Sequence, residues 1–488
     1  MIWIKNYKKT VHYISLLMIT ILFVLASLQT VSAANITISD SSSGGILDAV
    51  NNPIVNSGDT VFLSPGIYNK TNEDTNITIS KNVTIQGNGP TNQVIIDGKG
   101  LTGIFNLANN INVTFINITF TNGYTLANGG AIYNPYANTA LTFINCVFTN
   151  NSASARNTGT NDGDGGAIYN NGTSLTIINS NFNNNSAEFG GAICNNGSNF
   201  RIINSTFNNN NAEADGGAIY NDGNGFTIIN STFNNNNADG GGAIFNNGNN
   251  VTISNSNFNN NDAESGGAIY NWGVGFVITN SPFRNNNAES GGAIYNDYEG
   301  NMTVIGSTFI RNHASEIGGG IYNDGTLLFI GNTMTGNTAG ELGNAIFNDG
   351  TMGVLTLTFL SNSILNVKKN TPITIYATLT DDMGNPVTGG DIRFYINGKY
   401  IGTDSPEEGK AKITYTPTIS GIVSVTGSYS GAGAHEINIK TAELKITKNN
   451  LDTIAEAEAS MKNTGIPIIA ILLVLITLFS TIFCKIRK

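Results

Sequence analysis

The chain has 488 residues, of which 11% are charged, and its formal net charge at pH 7 is −10. This acidic balance argues against a basic, nucleic-acid-binding role. Three cysteines are too few for a disulfide framework. Cys146 and Cys194 fall two repeats apart, which would separate their Cα atoms by roughly 9 Å or more, so we expect two small buried residues instead of a disulfide.

Residues 1–33 have the pattern of a secretory signal peptide. Lys5, Lys8 and Lys9 precede an apolar run over residues 14–25, and Val31-Ser32-Ala33 offers small residues for cleavage. A signal anchor that stays attached is the alternative interpretation. Both interpretations predict that the rest of the chain is exported.

The sequence pattern of residues 34–100 predicts the N-terminal end of a solenoid. A short helix is expected over residues 46–50, and apolar runs at residues 61–63, 77–79, 83–85 and 94–96 predict strands. The open end of a β-solenoid exposes unpaired strand edges, so a covering segment is needed there. We expect the helix to be that cover.

One phrase then repeats through residues 129–348. It reads Gly-Gly-Ala-Ile-Tyr-Asn at residues 165–170 and returns with its isoleucine at positions 132, 168, 193, 219, 244, 269, 294, 321 and 346, in steps of 36, 25, 26, 25, 25, 25, 27 and 25. A fixed period of this size indicates stacked supersecondary units. The apolar runs between turn residues are too short for helices and predict strands.

The sequence therefore predicts an all-β fold, with a right-handed parallel β-helix over residues 34–350. Equivalent residues would stack at about 4.8 Å and form interior columns. One such column would contain Phe182, Phe207, Phe233, Phe258, Phe283 and Phe309. The Gly-Gly pairs would form corners that need positive φ or that leave no room for a side chain.

The asparagine that ends each phrase is expected at another corner. There asparagine tolerates left-handed backbone, and its amide can bond to the asparagines above and below. The residues concerned are Asn170, Asn195, Asn221, Asn246, Asn271, Asn296, Asn323 and Asn348.

Two resemblances follow from these motifs. The segment GDTVFLSPGIY at residues 58–68 resembles the opening of pectin-lyase-like β-helix domains, and the in-phase phrases resemble repeats of the polymorphic outer-membrane-protein type. The two together cover about residues 36–350. The first resemblance implies a fold shared with polysaccharide lyases and hydrolases.

An insertion of about eleven residues separates the first two phrases and is expected to leave the stack as a loop. Asp162 and Asp164 lie in it beside Asn161, and such oxygen ligands could contribute to a calcium site. The simpler interpretation is a solvated turn without any cofactor. No calcium-loop glutamate follows at the EF-hand spacing.

A row of acidic residues precedes the Gly-Gly corners. Stacked one per coil, their carboxylates would repel, so we expect them to spread into solvent; the alternative is that a cation bridges them. The row contains Glu188, Glu213, Asp239, Glu264, Glu289, Glu316 and Glu341.

The period ends after Asn348, and residues 353–447 alternate apolar and polar residues over longer strands. This pattern predicts a β-sandwich. Residues 377–387 and 427–431 resemble bacterial immunoglobulin-like (Ig-like) domains of surface adhesins.

Residues 448–465 are a polar spacer, and residues 466–484 form an uncharged run long enough to cross a bilayer. The tail at residues 485–488 carries Lys485, Arg487 and Lys488. Positive charge directly after the apolar run predicts a single-pass topology, with the C-terminus in the cytoplasm and the bulk of the chain outside.

The function predicted from these segments is that of a cell-surface protein and not an enzyme. Cations are nearly absent from the coils, no lysine lies between Lys99 and Lys368, and the histidines are in three separate regions. The arrangement resembles archaeal or bacterial adhesin-like surface proteins, which implies binding to extracellular glycans, a partner cell or envelope polymer. A polysaccharide lyase or glycoside hydrolase and a structural envelope component are the alternatives. Arg201, the most irregular charge of the array, is expected to be an outward strand residue.

Overall fold

The computed structural model describes residues 35–154, 163–353, 355–359, 367–419, 421–430 and 436–447. The predicted signal peptide, spacer, membrane helix and cytoplasmic tail lie outside these residues. Within the described ranges, no helix is long and apolar enough to cross a membrane.

The repeats fold into a parallel β-helix, as the period predicts. Each coil contributes one short strand to each of three long sheets, which contain 13, 11 and 12 strands. Equivalent strands pair in parallel: Ile168, Tyr169 and Asn170 lie opposite Ile193, Cys194 and Asn195 of the next coil. Because like positions pair, each column of the sequence repeat becomes a column in space.

The strands of the β-helix are as follows. The first sheet contains Ile36–Ile38, Thr60–Leu63, Val83–Gly87, Asn112–Ile116, Ala140–Ile144, Ser174–Ile178, Phe200–Ile203, Thr227–Ile229, Thr252–Ser254, Val274–Thr279, Asn301–Ile305, Thr326–Ile330 and Thr351–Gly353. The second sheet contains Gly66–Tyr68, Val94–Asp97, Thr119–Thr121, Val147–Thr149, Asn181–Asn183, Thr206–Asn208, Thr232–Asn234, Asn257–Asn259, Pro282–Arg284, Thr308–Ile310 and Thr333–Thr335. The third sheet contains Ile77–Ile79, Phe105–Leu107, Ile132–Asn134, Ile168–Asn170, Ile193–Asn195, Ile219–Asn221, Ile244–Asn246, Ile269–Asn271, Ile294–Asn296, Ile321–Asn323, Ile346–Asn348 and Val387–Thr388.

A fourth, shorter side lies between the second and third sheets and was not predicted. Single bridges such as that from Asn237 to Asp262 connect its two small sheets. Its strands are Tyr124–Thr125, Ser152–Ala153, Ser186–Ala187 and Asn211–Ala212, then Asn287–Ser290, His313–Ile317 and Thr338–Ala339.

The interior columns are those that the sequence predicts. From Phe182 to Phe309, neighbouring rings in the phenylalanine column stack with centroids 4.7 to 5.0 Å apart and planes within 5°. The isoleucines of the repeated phrase, from Ile132 to Ile346, are completely buried. Burying one such side chain contributes about 1.5–3 kcal/mol, so the columns are the main stabilising feature of the coils.

The two glycines of each corner have different structural roles. The first has positive φ, 68° at Gly165 and 71° at Gly216. The second packs directly against the neighbouring coil: a Cβ on Gly217 would lie 2.1 Å from the carbonyl oxygen of Gly242. The corner therefore needs both the backbone freedom and the small size of glycine.

The asparagines that end the phrases form a buried amide ladder along the third sheet. Asn221 donates from Nδ2 to Asn246 Oδ1 at 2.8 Å, and Asn246 donates in turn to Asn271 at 3.0 Å. The predicted bonds between coils are confirmed. The predicted left-handed backbone is wrong, because each of these residues is the last of an extended strand.

Other asparagines adopt the left-handed backbone. They follow the strands of the first and second sheets, and include Asn179, Asn204, Asn230, Asn255 and Asn280 in one row and Asn184, Asn209, Asn235, Asn260 and Asn285 in another. A second buried amide ladder, also not predicted, runs through Asn151, Asn185, Asn210, Asn236, Asn261, Asn286, Asn312 and Asn337.

A helix at Gly45–Asn51 covers the N-terminal end of the coils, as expected from residues 46–50. Ile46, Ala49 and Val50 are buried. Asp74 accepts the backbone N–H of Ile46 at 3.2 Å and ties the helix to the second coil. A single 3₁₀ turn follows at Thr91–Gln93.

Two small sheets follow the last coil. One contains Thr356–Phe359, Ile373–Thr380 and Lys410–Tyr415; the other contains Val367–Lys368, Glu436–Thr447, Gly421–Ser430, Asp391–Ile396 and Lys399–Asp404. The strand pairs are antiparallel except for Val367–Lys368 with the end of Glu436–Thr447. The two sheets agree with a sandwich-like arrangement, and its likeness to Ig-like domains stays a prediction.

This C-terminal part is joined to the coils. Its strand Val387–Thr388 pairs in parallel with Ile346 and Phe347 and becomes the last strand of the third sheet. Asn348, the end of the amide ladder, donates to the Tyr429 hydroxyl at 3.0 Å, and this hydroxyl donates to Gly389 O at 3.2 Å. The last coil is therefore covered, and its strand edge is paired.

Candidate binding face

The outer side of the third sheet presents one side chain per coil. In each three-residue strand the isoleucine and asparagine point inward, so the residue between them points outward. From Tyr220 to Phe347 these residues form a continuous stack, with centroids 4.6 to 5.5 Å apart. We call this stack the aromatic ladder; its members are Tyr220, Phe245, Tyr270, Tyr295, Tyr322 and Phe347.

The ladder rings are half-buried, apart from Phe245, which is buried. Neighbouring planes are within 18° of parallel, so each inner ring covers the faces of its neighbours. Burial raises the pKa of Tyr220, Tyr270 and Tyr295 above the ordinary tyrosine value. At neutral pH these hydroxyls are therefore protonated and can donate hydrogen bonds.

A row of polar residues follows the ladder at the turn after each strand. Tyr270 donates its hydroxyl proton to Asp297 Oδ2. Burial raises the pKa of Asp324, and the carboxylates of Asp349 and Asp297 raise it further. We call this row the turn row; it contains Asn171, Asn196, Asp222, Asn247, Trp272, Asp297, Asp324 and Asp349.

One coil of this face departs from the pattern. Trp272 replaces the usual Asn or Asp, and the next turn is two residues longer because it contains Tyr298 and Glu299. A β-bulge lies beside it, where the register shifts between Val274 and Phe276. The Trp272 indole N–H donates to Glu299 Oε2 at 3.1 Å.

Apolar surface is exposed at this irregular coil. The exposed fraction is 36% for Trp272, 52% for Val274 and 61% for Tyr298. The two rings are 6.2 Å apart and tilted by 58°, so they do not cover each other as the ladder rings do.

The positively charged residues lie on other sides of the molecule. Arg201 is exposed on the first sheet, between Thr176 and Thr227, as predicted for an outward strand residue. Arg284 belongs to the second sheet and Arg311 follows it. Among the described residues of the coils from Ile111 onward, no arginine or lysine belongs to a third-sheet strand or to the turn row.

The predicted calcium ligands are only partly described. Asp162 lies outside the described residues, whereas Asp164 is buried at the start of a Gly-Gly corner. In the described part of the chain, no three His, Cys, Asp or Glu side chains are grouped as metal ligands would be. The calcium site stays a prediction.

The acidic row before the corners lies on the fourth side. Its members are exposed, apart from the half-buried Glu188. Asp239, Glu264 and Glu289 follow one another on successive coils and line a shallow groove of about 320 Å³. Their exposure agrees with the expectation that they spread into solvent.

The two described cysteines are buried and unpaired, as predicted. Cys146 takes the place of serine in a column where each backbone N–H donates to the next hydroxyl, and its own N–H donates to Ser180 Oγ at 3.0 Å. Cys194 interrupts the outward aromatic column between Tyr169 and Tyr220.

The sequence contains the signals for this face, although they are weak. The tyrosine of the repeated phrase predicts an outward row only when the strand is known to be three residues long. The step of 27 between Ile294 and Ile321 combines the longer turn, the compensating bulge beside Val274 and one extra residue on the fourth side. The step alone does not show that Tyr298 and Trp272 are neighbours.

The model of the Chlamydia polymorphic membrane protein repeat matches residues 145–171 and 204–222. Each stretch contains one column phenylalanine and one corner phrase, so the match reports the same unit that forms the coils. Comparison with curated proteins finds no match. The repeat and the parallel β-helix together fit a surface protein that is similar to polymorphic membrane proteins.

Proposed function

We propose that this protein is a membrane-anchored, cell-surface adhesin-like protein that presents its β-helix to extracellular glycans, including those of a partner cell or of envelope polymer. The observation that supports this proposal most is the regular repetition of hydrogen-bonding groups on the outer faces. On the second sheet, Asn208 donates to Asn183, Asn234 to Asn208 and Asn259 to Asn234, each at 2.9 Å.

Repetition is useful for binding a polymer that itself repeats. One coil offers only a few weak contacts, but a chain lying along the solenoid meets the same groups at every coil. Once the first contact forms, the others are intramolecular, so the affinities combine. The third-sheet face adds tyrosine hydroxyls and carboxylates in the same repeat.

Anchorage is the second part of the proposal. We propose that residues 1–33 are the export signal, that residues 466–484 cross the membrane, and that the charged tail at residues 485–488 is cytoplasmic. In this topology the helix would hold the coils and the two C-terminal sheets outside the cell.

The test uses the full-length chain with immobilised polysaccharides and with whole cells. The polysaccharides are a neutral glucan, a neutral mannan and an acidic polygalacturonate, and soluble products are measured after incubation. We expect retention on at least one neutral polymer without any shortening of the polymer. Release of unsaturated or reducing ends would instead identify a lyase or hydrolase. Ordered self-assembly without binding would favour a structural envelope protein.

A further inference from the structure

The irregular coil carries apolar surface that the fold does not need. In the other coils the turn row holds Asn or Asp, so Trp272 is not required to close the turn. Tyr298 lies in the two-residue extension and is 61% exposed. Insertions in solenoids commonly lie on a binding face, and bulges often occur where a strand redirects a side chain for function.

The exposed rings are suited to stacking in a way that the ladder rings are not. An aromatic side chain binds a flat apolar ligand surface through its face, and it can add a polar contact at its edge. The ladder rings cover one another, whereas Trp272 and Tyr298 are tilted by 58° and leave ring surface to solvent. Val274 extends the apolar surface on the neighbouring strand.

Polar groups surround this apolar surface. Glu299 accepts the indole N–H of Trp272 and keeps a carboxylate beside the ring. Asn249 accepts the backbone N–H of Val274 at 2.8 Å, which holds an amide at the other edge. A ring stacked on Trp272 would therefore find hydrogen-bond partners for hydroxyl groups at its rim.

The charges of the face restrict the ligand class. Asp222, Asp297, Asp324 and Asp349 lie in the turn row on nearby coils, and Glu299 lies in the extended turn beside them. Among the described arginines of the later coils, Arg201 belongs to the first sheet, Arg284 belongs to the second sheet, and Arg311 directly follows a second-sheet strand. An acidic polymer would meet carboxylates of the same charge here, with no arginine or lysine among the described residues of this face to neutralise them. Such repulsion lowers the affinity and slows association.

We propose that Trp272, Tyr298 and Val274 form a stacking subsite for one sugar ring of a neutral glycan, with Glu299 and Asn249 binding its hydroxyl groups. The subsite discriminates against uronate and sulfated polymers by charge. This inference rests on the proposed function, because it assigns the ligand class and the strongest contact point of the same binding face.

The chain offers a direct spectroscopic test. It contains two tryptophans, Trp3 and Trp272. In a full-length Trp3→Phe background, tryptophan emission reports on Trp272 alone. Titration with neutral glucan or mannan oligosaccharides is expected to shift this emission to shorter wavelength and to protect it from acrylamide. Polygalacturonate oligomers are expected to leave both properties unchanged.

Substitutions at the exposed rings test whether ring stacking contributes to binding beyond the other contacts with the polymer. Trp272→Ala and Tyr298→Ala in the full-length chain should each weaken neutral-polymer binding roughly tenfold. Trp272→Phe, which keeps a ring, should retain most of the affinity. Tyr400→Ala is the control, because Tyr400 is 53% exposed but lies in the C-terminal sheets.

The outcomes distinguish this inference from the proposed function. If neutral polymers bind both alanine variants as tightly as they bind the parent, the proposed stacking subsite is wrong. The proposed adhesin function is then unaffected. Tighter binding of polygalacturonate would overturn the ligand class. Self-association that Trp272→Ala abolishes would make the patch an interface between copies. Failure of the parent to bind any glycan would reject the proposed function itself.

Discussion

Asparagine serves at least three purposes in the described part of this protein, and burial together with backbone conformation distinguishes them. Asn246 is completely buried and its amide bonds to the neighbouring coil, whereas Asn247 is exposed and its amide donates to Asp222 on the surface of the preceding coil. Asn255 has a φ of 50° and takes the left-handed corner. An asparagine-rich sequence therefore encodes a specific core, in which the buried amides bond mainly to one another and to nearby backbone carbonyls.

The buried ladder should be sensitive to loss of a single amide. Asn246→Ala removes the acceptor of Asn221 Nδ2 and the donor to Asn271 Oδ1. We expect the free energy of unfolding to fall by about 1–3 kcal/mol, because buried polar groups lose partners. Urea denaturation followed by circular dichroism measures the change.

Asn247→Ala is the matched control, one residue away and exposed. It should alter the free energy of unfolding by no more than about 0.5 kcal/mol. Equal losses in the two variants would mean that the ladder has no special role in stability.

The carboxyl group of Asp215 makes the stability of the fold depend on pH. Burial and the Asp239 carboxylate raise the pKa of Asp215 to about 6, from an ordinary value of 3.8. Between these values the folded chain binds more protons than the unfolded chain, so this group lowers the free energy of unfolding as the pH rises through the window. Below pH 3.8 Asp215 is protonated in both the folded and the unfolded chain, so it no longer lowers the free energy of unfolding.

Asp215→Asn should therefore stabilise the fold at pH 7, by on the order of 1 kcal/mol for a partly exposed carboxyl group. The parent and the variant should converge near the lower end of the window. Thermal unfolding across this pH range measures the difference, and an identical pH profile for both proteins would refute the assignment.

Among the structural elements, the Gly-Gly corner brings the backbones of neighbouring coils close together. Gly217 and Gly103 both lack positive φ, but their surroundings differ. A Cβ at Gly217 would lie 2.1 Å from Gly242 O, whereas the nearest atom to a Cβ at Gly103 is 3.7 Å away.

Gly217→Ala should lower the free energy of unfolding by about 1–3 kcal/mol, because neighbouring backbones must separate. Gly103→Ala should be tolerated. Urea denaturation of both variants tests the pair, and equal stability would contradict the close approach of the coils.

The period in the sequence was sufficient to predict the coils and their columns. It places Phe182 above Phe207 and Ile168 beside Ile193, because equal spacing along the chain becomes alignment between coils. It did not predict the backbone of Asn170 or the bond from Tyr270 to Asp297. Those depend on which residue ends each strand and on side-chain conformations, which repeat spacing does not specify.

At the scale of the whole molecule, the coils and the C-terminal sheets share a sheet and a buried hydrogen bond. The sequence predicts a change of fold near residue 350, but the contact between Asn348 and Tyr429 joins residues 81 positions apart. No periodic signal connects such positions. The boundary between the two kinds of sequence is therefore a place of close packing in the structure.

Tyr429→Phe tests that junction. It removes the hydroxyl that accepts from Asn348 Nδ2 and donates to Gly389 O, at a completely buried site. We expect a loss of about 1–3 kcal/mol and faster amide hydrogen exchange in the last coil. Tyr400→Phe, at an exposed site, is the control. Unchanged exchange in Tyr429→Phe would show that the junction does not stabilise the last coil.

The proposed function requires a repeated outer face to bind a repeating neutral glycan. The most direct test measures the dissociation constant of the full-length chain for neutral oligosaccharides of increasing length, from a disaccharide to oligomers that span several coils. We predict that affinity rises by roughly 10²-fold or more with length, as simultaneous contacts accumulate, and that Trp272→Ala lowers the whole series. Affinity that does not change with oligomer length would show that the coils do not bind the glycan through repeated contacts.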